Sequence, residues 1–186
     1  VILLLDNYDS FTYILFQYLS EWDQVKVIKN NEPLPTALNF NSLVISPGPG
    51  QPSTSGFLME HIDQLIGKMP ILGVCLGHQA IAQHYGASLE KAPEIFHGRA
   101  SEILHEEKDL FQFIPNPFRA NRYHSWIVSK TNFPKELEVT AKTKDDVIMG
   151  IMSKSHPNVY GVQFHPESIL TEHGKTIIQN FCEISK

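Results

Sequence analysis

The segment Pro70-Ile71-Leu72-Gly73-Val74-Cys75-Leu76-Gly77-His78-Gln79-Ala80 decides the fold. Its apolar run, residues 71–74, reads as a buried strand, and a helical stretch ending near Gly86 follows with no loop between them. A strand that feeds directly into a helix is the repeating unit of a parallel sheet. Upstream, short aliphatic runs at residues 1–5, 25–28 and 43–45 alternate with helical patterns. Phe11, Ile14, Leu15, Tyr18 and Leu19 form one apolar stripe behind a candidate cap at Ser10. Phe57, Leu58, His61, Ile62, Leu65 and Ile66 form another. Both stripes are expected to face the core. The reading is an α/β fold, a mostly parallel central sheet covered by helices on both faces.

From about Lys91 the texture changes. Residues 121–128, 137–141, 147–151 and 159–164 are β-rich with few helical patterns between them, so an additional antiparallel region is expected there. A last helix over about residues 172–183 should turn Ile177, Ile178 and Phe181 inward. A chain of 186 residues fits one domain, 1–186, better than two.

The same segment carries chemistry. Gly73-Val74-Cys75-Leu76-Gly77 has the Gly-x-Cys-x-Gly spacing of a nucleophile elbow, with sulfur in place of a serine oxygen. The glycines let neighbouring backbone pass close to a sharp, strained turn. At a helix start, unpaired N–H groups and the helix dipole favour a thiolate. The same groups can hold an oxyanion. The amide of Leu76, one residue past the sulfur, is the expected donor, and such a donor typically lowers the barrier by ~2.7–4 kcal/mol. The bland reading of Cys75 is a small buried thiol packed behind a strand. Cys182, inside the last helix beside Phe181, has no turn around it and reads as packing.

A thiol nucleophile needs a base, and the chain has nine histidines. His61 and His84 fall within helices. His165 stands where the apolar strand Gly161-Val162-Gln163-Phe164 breaks at Pro166, and strand ends are where α/β folds place their sites. In extended chain, residues two apart share a side. Glu167 can therefore orient one imidazole nitrogen while the other faces the thiolate. Alone, this His-x-Glu also reads as an ordinary surface pair. Ser46-Pro47-Gly48-Pro49-Gly50-Gln51-Pro52 is a rigid loop after a strand and lacks the Gly-Lys-Ser/Thr of a phosphate loop. No spacing of His, Cys or carboxylates suits a metal.

Composition narrows the partners. With a net charge of -5 and a pI near 6.0, the chain has no basic surplus for nucleic acid or an anionic membrane. The apolar start stops at Asp6, and nothing approaches the ~20 apolar residues of a membrane helix. Two cysteines in a chain of this size make a reducing cytoplasm the expected compartment.

Three blocks, Ser46-Pro-Gly-Pro-Gly50, Gly73-Val-Cys-Leu-Gly-His-Gln79 and Gly161-Val-Gln-Phe-His-Pro-Glu167, together resemble class I, or triad-type, glutamine amidotransferase domains in content, order and spacing. The resemblance covers essentially the whole chain. It implies that Cys75 is the nucleophile, His165 the base and Glu167 its orienting partner, acting on L-glutamine through a γ-glutamyl thioester. It places Gly48, Pro49, Gly50 and Leu76 around the oxyanion and substrate, and Gln79 at a glutamine-binding position. Arg122-Tyr-His-Ser-Trp126 resembles the family's Arg-Tyr-His-Ser-Leu segment, in which Ser125 and the next residue contact the glutamine backbone. Here Trp126 stands in place of leucine.

Within the family, Asn7-Tyr-Asp-Ser-Phe-Thr12 resembles subunits that serve chorismate-using synthases in hetero-oligomers. Gly50 and Glu94-Ile-Phe-His-Gly-Arg-Ala-Ser101 favour the anthranilate-forming type, for tryptophan, over the aminodeoxychorismate-forming type, for folate. The resemblance implies no cofactor in this chain, with any magnesium belonging to the partner. Two other readings stand beside it: a free-standing γ-glutamyl cysteine hydrolase, and a binding module that has lost its chemistry.

Overall fold

The computed structural model describes residues 1–36 and 39–186. Among the described residues nine strands form one mixed sheet, in the order β2-β1-β3-β4-β9-β8-β7-β5-β6. The parallel half comprises β1 (Ile2–Asp6), β2 (Val25–Lys29), β3 (Ser42–Ile45), β4 (Ile71–Val74) and β9 (Val159–Val162). The antiparallel half comprises β5 (Leu89–His105), β6 (Phe118–Val128), β7 (Leu137–Thr143) and β8 (Ile148–Ser153). Strand β9 joins the halves, running parallel to β4 and antiparallel to β8.

Among the described residues four α-helices cover the sheet: α1 (Thr12–Ser20), α2 (Leu58–Leu65), α3 (Leu76–His84) and α4 (Gly174–Ile184). Alternation along β1 sorts its side chains between two cores. Leu4 joins Leu15 and Leu19 of α1 and Ile177, Ile178 and Phe181 of α4. Leu3 and Leu5 join Leu58, Ile62 and Leu65 of α2 and Ala80 and Ile81 of α3. Each such fully buried Leu, Ile or Phe stabilises the fold by ~1.5–3 kcal/mol, which is why four-residue strands suffice here.

Three expectations need correction. Ser10 does not cap α1: the cap position is Phe11, with no side-chain bond. The turn is held instead by Asp9, whose carboxylate accepts the Phe11 N–H at 2.8 Å, and by the Thr12 hydroxyl donating to Asp6 at 2.9 Å. Phe11 and Phe57 are not buried parts of their stripes; Phe57 is exposed. The last helix begins at Gly174 because His173 takes a left-handed conformation, φ 57°, and a Cβ on Gly174 would stand 1.9 Å from the Pro166 carbonyl oxygen. That contact presses the helix start against the loop holding His165 and Glu167.

The loops that leave β1, β3, β4 and β9 all emerge from the carboxyl ends of parallel strands, where α/β sheets gather their ligands. Two of these loops are tied together. The Asn7 N–H donates to Ser46 Oγ, its amide donates to the Ser46 carbonyl, both at 2.9 Å, and Asn30 donates to Asn7 Oδ1 at 3.1 Å.

Candidate active site

Strand β4 turns into α3 at Cys75, whose backbone sits at φ 52°, ψ -98°. An L residue held there costs ~1–3 kcal/mol. Packing enforces the turn. A Cβ on Gly73 would lie 2.4 Å from the main chain of Gly77, and one on Gly77 would lie 2.8 Å from the Ile45 carbonyl oxygen. The helix therefore rests directly on the strands beside it, as the spacing of the two glycines implied. Its first bond runs from the Gln79 N–H to the Cys75 carbonyl, 3.1 Å. The amides of Leu76, Gly77 and His78 precede that bond and have no carbonyl four residues back in the helix to meet them.

The chain leaving β9 stays anchored by main-chain bonds from Gln163 to Met149, 2.9 Å, and from His165 to Asn121, 3.0 Å. Nδ1 of His165 donates to Glu167 Oε1 at 2.6 Å, and the two side chains are almost wholly enclosed, 3% and 0% exposed. Rings of Phe11 and Tyr123 meet the imidazole edge-on at 5.8 and 5.3 Å. Burial alone lowers the His165 pKa. The nearby Cys75 sulfur and the Glu167 carboxylate outweigh burial and hold it well above the ordinary histidine value. Nε2 has no partner of good hydrogen-bond geometry, so the sulfur acts on it chiefly through charge. The sulfur itself lies 3.7 Å from the Tyr123 carbonyl oxygen and 3.6 Å from Gln163 Nε2.

A cavity of about 170 Å³ opens beside the sulfur, lined by Gly48, Pro49, Gly50, Cys75, Gln79, Tyr123, His124, Ser125 and Trp126. Seven of the residues expected at the site share this wall. Leu76 sits behind it, buried against Gly48, where a Cβ would come within 2.7 Å of Leu76 Cδ2. His165 and Glu167 are not on the wall. The volume is below the ~300–1,000 Å³ of pockets for drug-sized ligands, which suits a small polar one. A larger hollow, about 310 Å³ around Gly67, Lys68 and His156, contains none of the residues expected at the site.

Strand β6 shapes the far side. In its pairing with β5, His124 faces Phe96 and Trp126 faces Lys91, so the strand β5 bulges opposite Ser125 and leaves it outside the register. Ser125 is exposed to the cavity side, while the Trp126 carbonyl is already engaged. That carbonyl accepts from His124 Nδ1 at 3.1 Å and from Gln79 Nε2 at 3.0 Å. Arg122, 2% exposed, donates from Nε to His124 Nε2 at 3.1 Å and lies over the Phe96 ring at 3.3 Å.

The sequence reading missed Phe11, Tyr123, His124 and Gln163 as site residues. Tyr123, His124 and Gln163 lie inside the quoted blocks, but only tertiary packing reveals what they touch. Cys182 is buried and free, and burial pushes its thiol up to about 12. Among the described residues no group of three or more His, Cys, Asp or Glu is placed to hold a metal. None of their helices is long and apolar enough to cross a membrane.

Two histidines near the site bear on acid stability. Burial drives the fully enclosed His78 down to about 4. Burial, then the Arg122 charge, drives His124 to about 3. Between pH 6.5 and 4 the unfolded chain therefore binds two protons that the folded chain does not. Stability is lost on acidification, by about 1.4 kcal/mol per pH unit for each histidine. His165, with its raised value, is protonated in both states there and adds no slope. Urea midpoints measured from pH 7 to 4.5 should fall steeply, and His78→Asn should shallow the slope. A flat profile would contradict the neutral burial of these rings.

The family model for Glutamine amidotransferase class-I matches residues 3–184. The chain is 50% identical over 185 residues to anthranilate synthase component 2 of Cyanophora paradoxa, covering 97% of each. It is 46% identical over 187 residues to the aminodeoxychorismate/anthranilate synthase component 2 of Bacillus subtilis, covering 98% of this chain and 96% of that one. Among solved structures, one described as a candidate GMP synthase component from Thermoplasma acidophilum superposes with a TM-score of 0.87 at 27% identity. That likeness covers 99% of this chain and 92% of the other.

Proposed function

The chain belongs to the class-I glutamine amidotransferases, and from that premise we propose that it is the glutaminase subunit of a chorismate-using synthase, the anthranilate-forming one. The observation that supports the chemistry is a strained cysteine at a helix start whose sulfur, with Glu167, raises the pKa of the buried His165.

In the proposed reaction the Cys75 proton resides on His165 Nε2, and Sγ attacks the side-chain amide carbon of glutamine. The charge that develops on the amide oxygen meets the Leu76 amide and the Gly48 to Gly50 loop. His165 returns its proton to the departing nitrogen, which leaves as ammonia, and a γ-glutamyl thioester remains. Water then gives a proton to Nε2, attacks the thioester carbon and expels the sulfur, releasing glutamate. Both Gln79 N–H groups are spent within the protein, on Trp126 and Gln163. Its amide oxygen is left to accept from a ligand, which suits the α-ammonium of glutamine. No step requires a cofactor held by this chain.

The partner is proposed from the relatives named above and from the coupling of two loops. The loop of residues 7–12 and the helix turn after it, which expose Tyr8 and Tyr13, are bonded through Asn7 to the base of the Gly48 to Gly50 wall. A synthase pressing on the first loop would therefore set the second. The test is ammonia release from L-glutamine, first without a partner and then with chorismate and each purified synthase subunit in turn. Release that rises several-fold with the anthranilate-forming subunit is expected. Stimulation only by the aminodeoxychorismate-forming subunit would assign the chain to the folate route, a reading favoured by the double name of the Bacillus subtilis relative. Silence from folded protein under every pairing would overturn the proposal.

A further inference from the structure

We infer that Gln163 is a positioning residue for the nucleophile, whose amide N–H is aimed at the Cys75 sulfur by hydrogen bonds whose direction is set at the Trp126 carbonyl and passed on through Gln79. The inference deepens the glutaminase reading and rests on it for the role of Cys75, but not for the direction of the bonds.

Two groups with only one possible part to play fix the directions on the two sides of the Trp126 carbonyl. A guanidinium can only donate, so the bond from Arg122 Nε makes His124 Nε2 an acceptor and puts the ring's single proton on Nδ1. A main-chain carbonyl can only accept. Trp126 therefore receives the His124 Nδ1–H at 3.1 Å and must face the NH₂ end of Gln79, 3.0 Å away. The remaining Gln79 N–H points at the Gln163 side chain at 3.1 Å, which fixes Oε1 of Gln163 on that side. Nε2 of Gln163 is left facing the sulfur, 3.6 Å away. Neither glutamine amide can be turned over without setting two like groups against each other. Gln163 and Arg122 are 0% and 2% exposed, so water offers no alternative partner. A low surrounding dielectric strengthens a bond whose acceptor is charged.

An N–H donor stabilises a thiolate much more than a thiol, which accepts hydrogen bonds weakly. Gln163 therefore favours the reactive form of Cys75. It also draws the sulfur toward β9, on the side of the His165 loop, and away from unproductive rotamers.

Alkylation by iodoacetamide reads this directly, without glutamine or a partner. Cys75→Ser identifies the signal, because any alkylation it retains belongs to Cys182, the other free cysteine. The pH profile of the alkylation rate of Gln163→Met should move about one unit toward alkali, a rate about tenfold lower on its rising limb. Its high-pH plateau should be kept. Gln163→Glu preserves side-chain length and the bond to Gln79 while turning an oxygen toward the sulfur, and its profile should move further. If Gln163→Met is poorly folded by circular dichroism, Gln163→Glu carries the test by itself. A profile that stays in place in folded variants would overturn the inference, as would a rate lowered equally at every pH, which is the mark of packing alone. Failure of the glutaminase reading is separately visible, as absent ammonia release from a wild type whose alkylation still depends on Gln163.

Discussion

Replacing Cys75 by alanine or by glycine should stop ammonia release, with turnover lowered by at least about 10⁴-fold, the scale on which nucleophile removal acts in acyl-transfer enzymes. The same pair of variants should part company in stability. Glycine in place of alanine normally weakens a folded protein, because the unfolded chain gains freedom. At residue 75 the order should invert, since φ 52° and ψ -98° strain any side chain and a glycine is not so strained. Cys75→Gly should be more stable than Cys75→Ala by about 1–2 kcal/mol, within the range that such backbone strain stores. Urea unfolding of the two variants measures the difference. Equal stability, or the usual order, would mean that the turn is not under load. Ammonia release surviving in Cys75→Ala would remove the nucleophile from the proposed reaction.

Changing Glu167 to glutamine should lower turnover by about 10⁴-fold while leaving the fold intact, the magnitude seen when a triad carboxylate becomes an amide. The carboxylate accepts from His165 Nδ1 at 2.6 Å and is entirely enclosed. An amide of the same shape has a choice of two faults. With its oxygen toward Nδ1, an NH₂ stands where the unpartnered Oε2 now stands. With its NH₂ toward Nδ1, the proton is forced onto Nε2, the nitrogen that must be free to receive one. The variant also loses part of what raises the His165 pKa, so the residual rate should change with pH differently from wild type. Glu167→Asp, which keeps the charge but shortens the reach, should fall between the two. Near-wild-type activity in Glu167→Gln would show that the pair is structural.

Much of the architecture is legible in the sequence because the inner parallel strands β1, β3, β4 and β9 are short and almost wholly buried. Runs such as Leu43 to Ile45 and Ile71 to Val74 have no solvent face, so they are written almost entirely in aliphatic residues. The Gly-x-Cys-x-Gly elbow is legible for a similar reason: the close approach of α3 to β3 and β4 leaves no room for a Cβ on either glycine.

Strand β5 is the counter-example. Its 17 residues are mostly solvent-facing, include Pro93 and Gly98, and break register twice against β6. No alternation survives to be read, and the pairing comes from β6 and β7 rather than from local pattern. Helix starts are also poorly legible, at Ser10 and near residue 172. There the deciding contacts come from chain outside the helix, Asp6 to Thr12 and Gly174 to Pro166. Within the site, His165 and Glu167 are legible two apart in an extended segment. The bonds that join Gln79, Gln163 and Cys75 are not, because they bring together α3 and the end of β9, 84 and 88 residues apart in the chain.

The bulge in β5 opposite Ser125 has a meaning of its own. Where β5 bulges away, Ser125 faces no partner residue and lies on the wall of the cavity beside the sulfur. An amino acid is the smallest molecule that carries groups complementary to main chain at its own α-carbon. Seen in this way, the antiparallel half of the sheet keeps one place open for a single residue that is not part of the chain. In the proposed reaction a free glutamine takes that place and extends its side chain toward the sulfur.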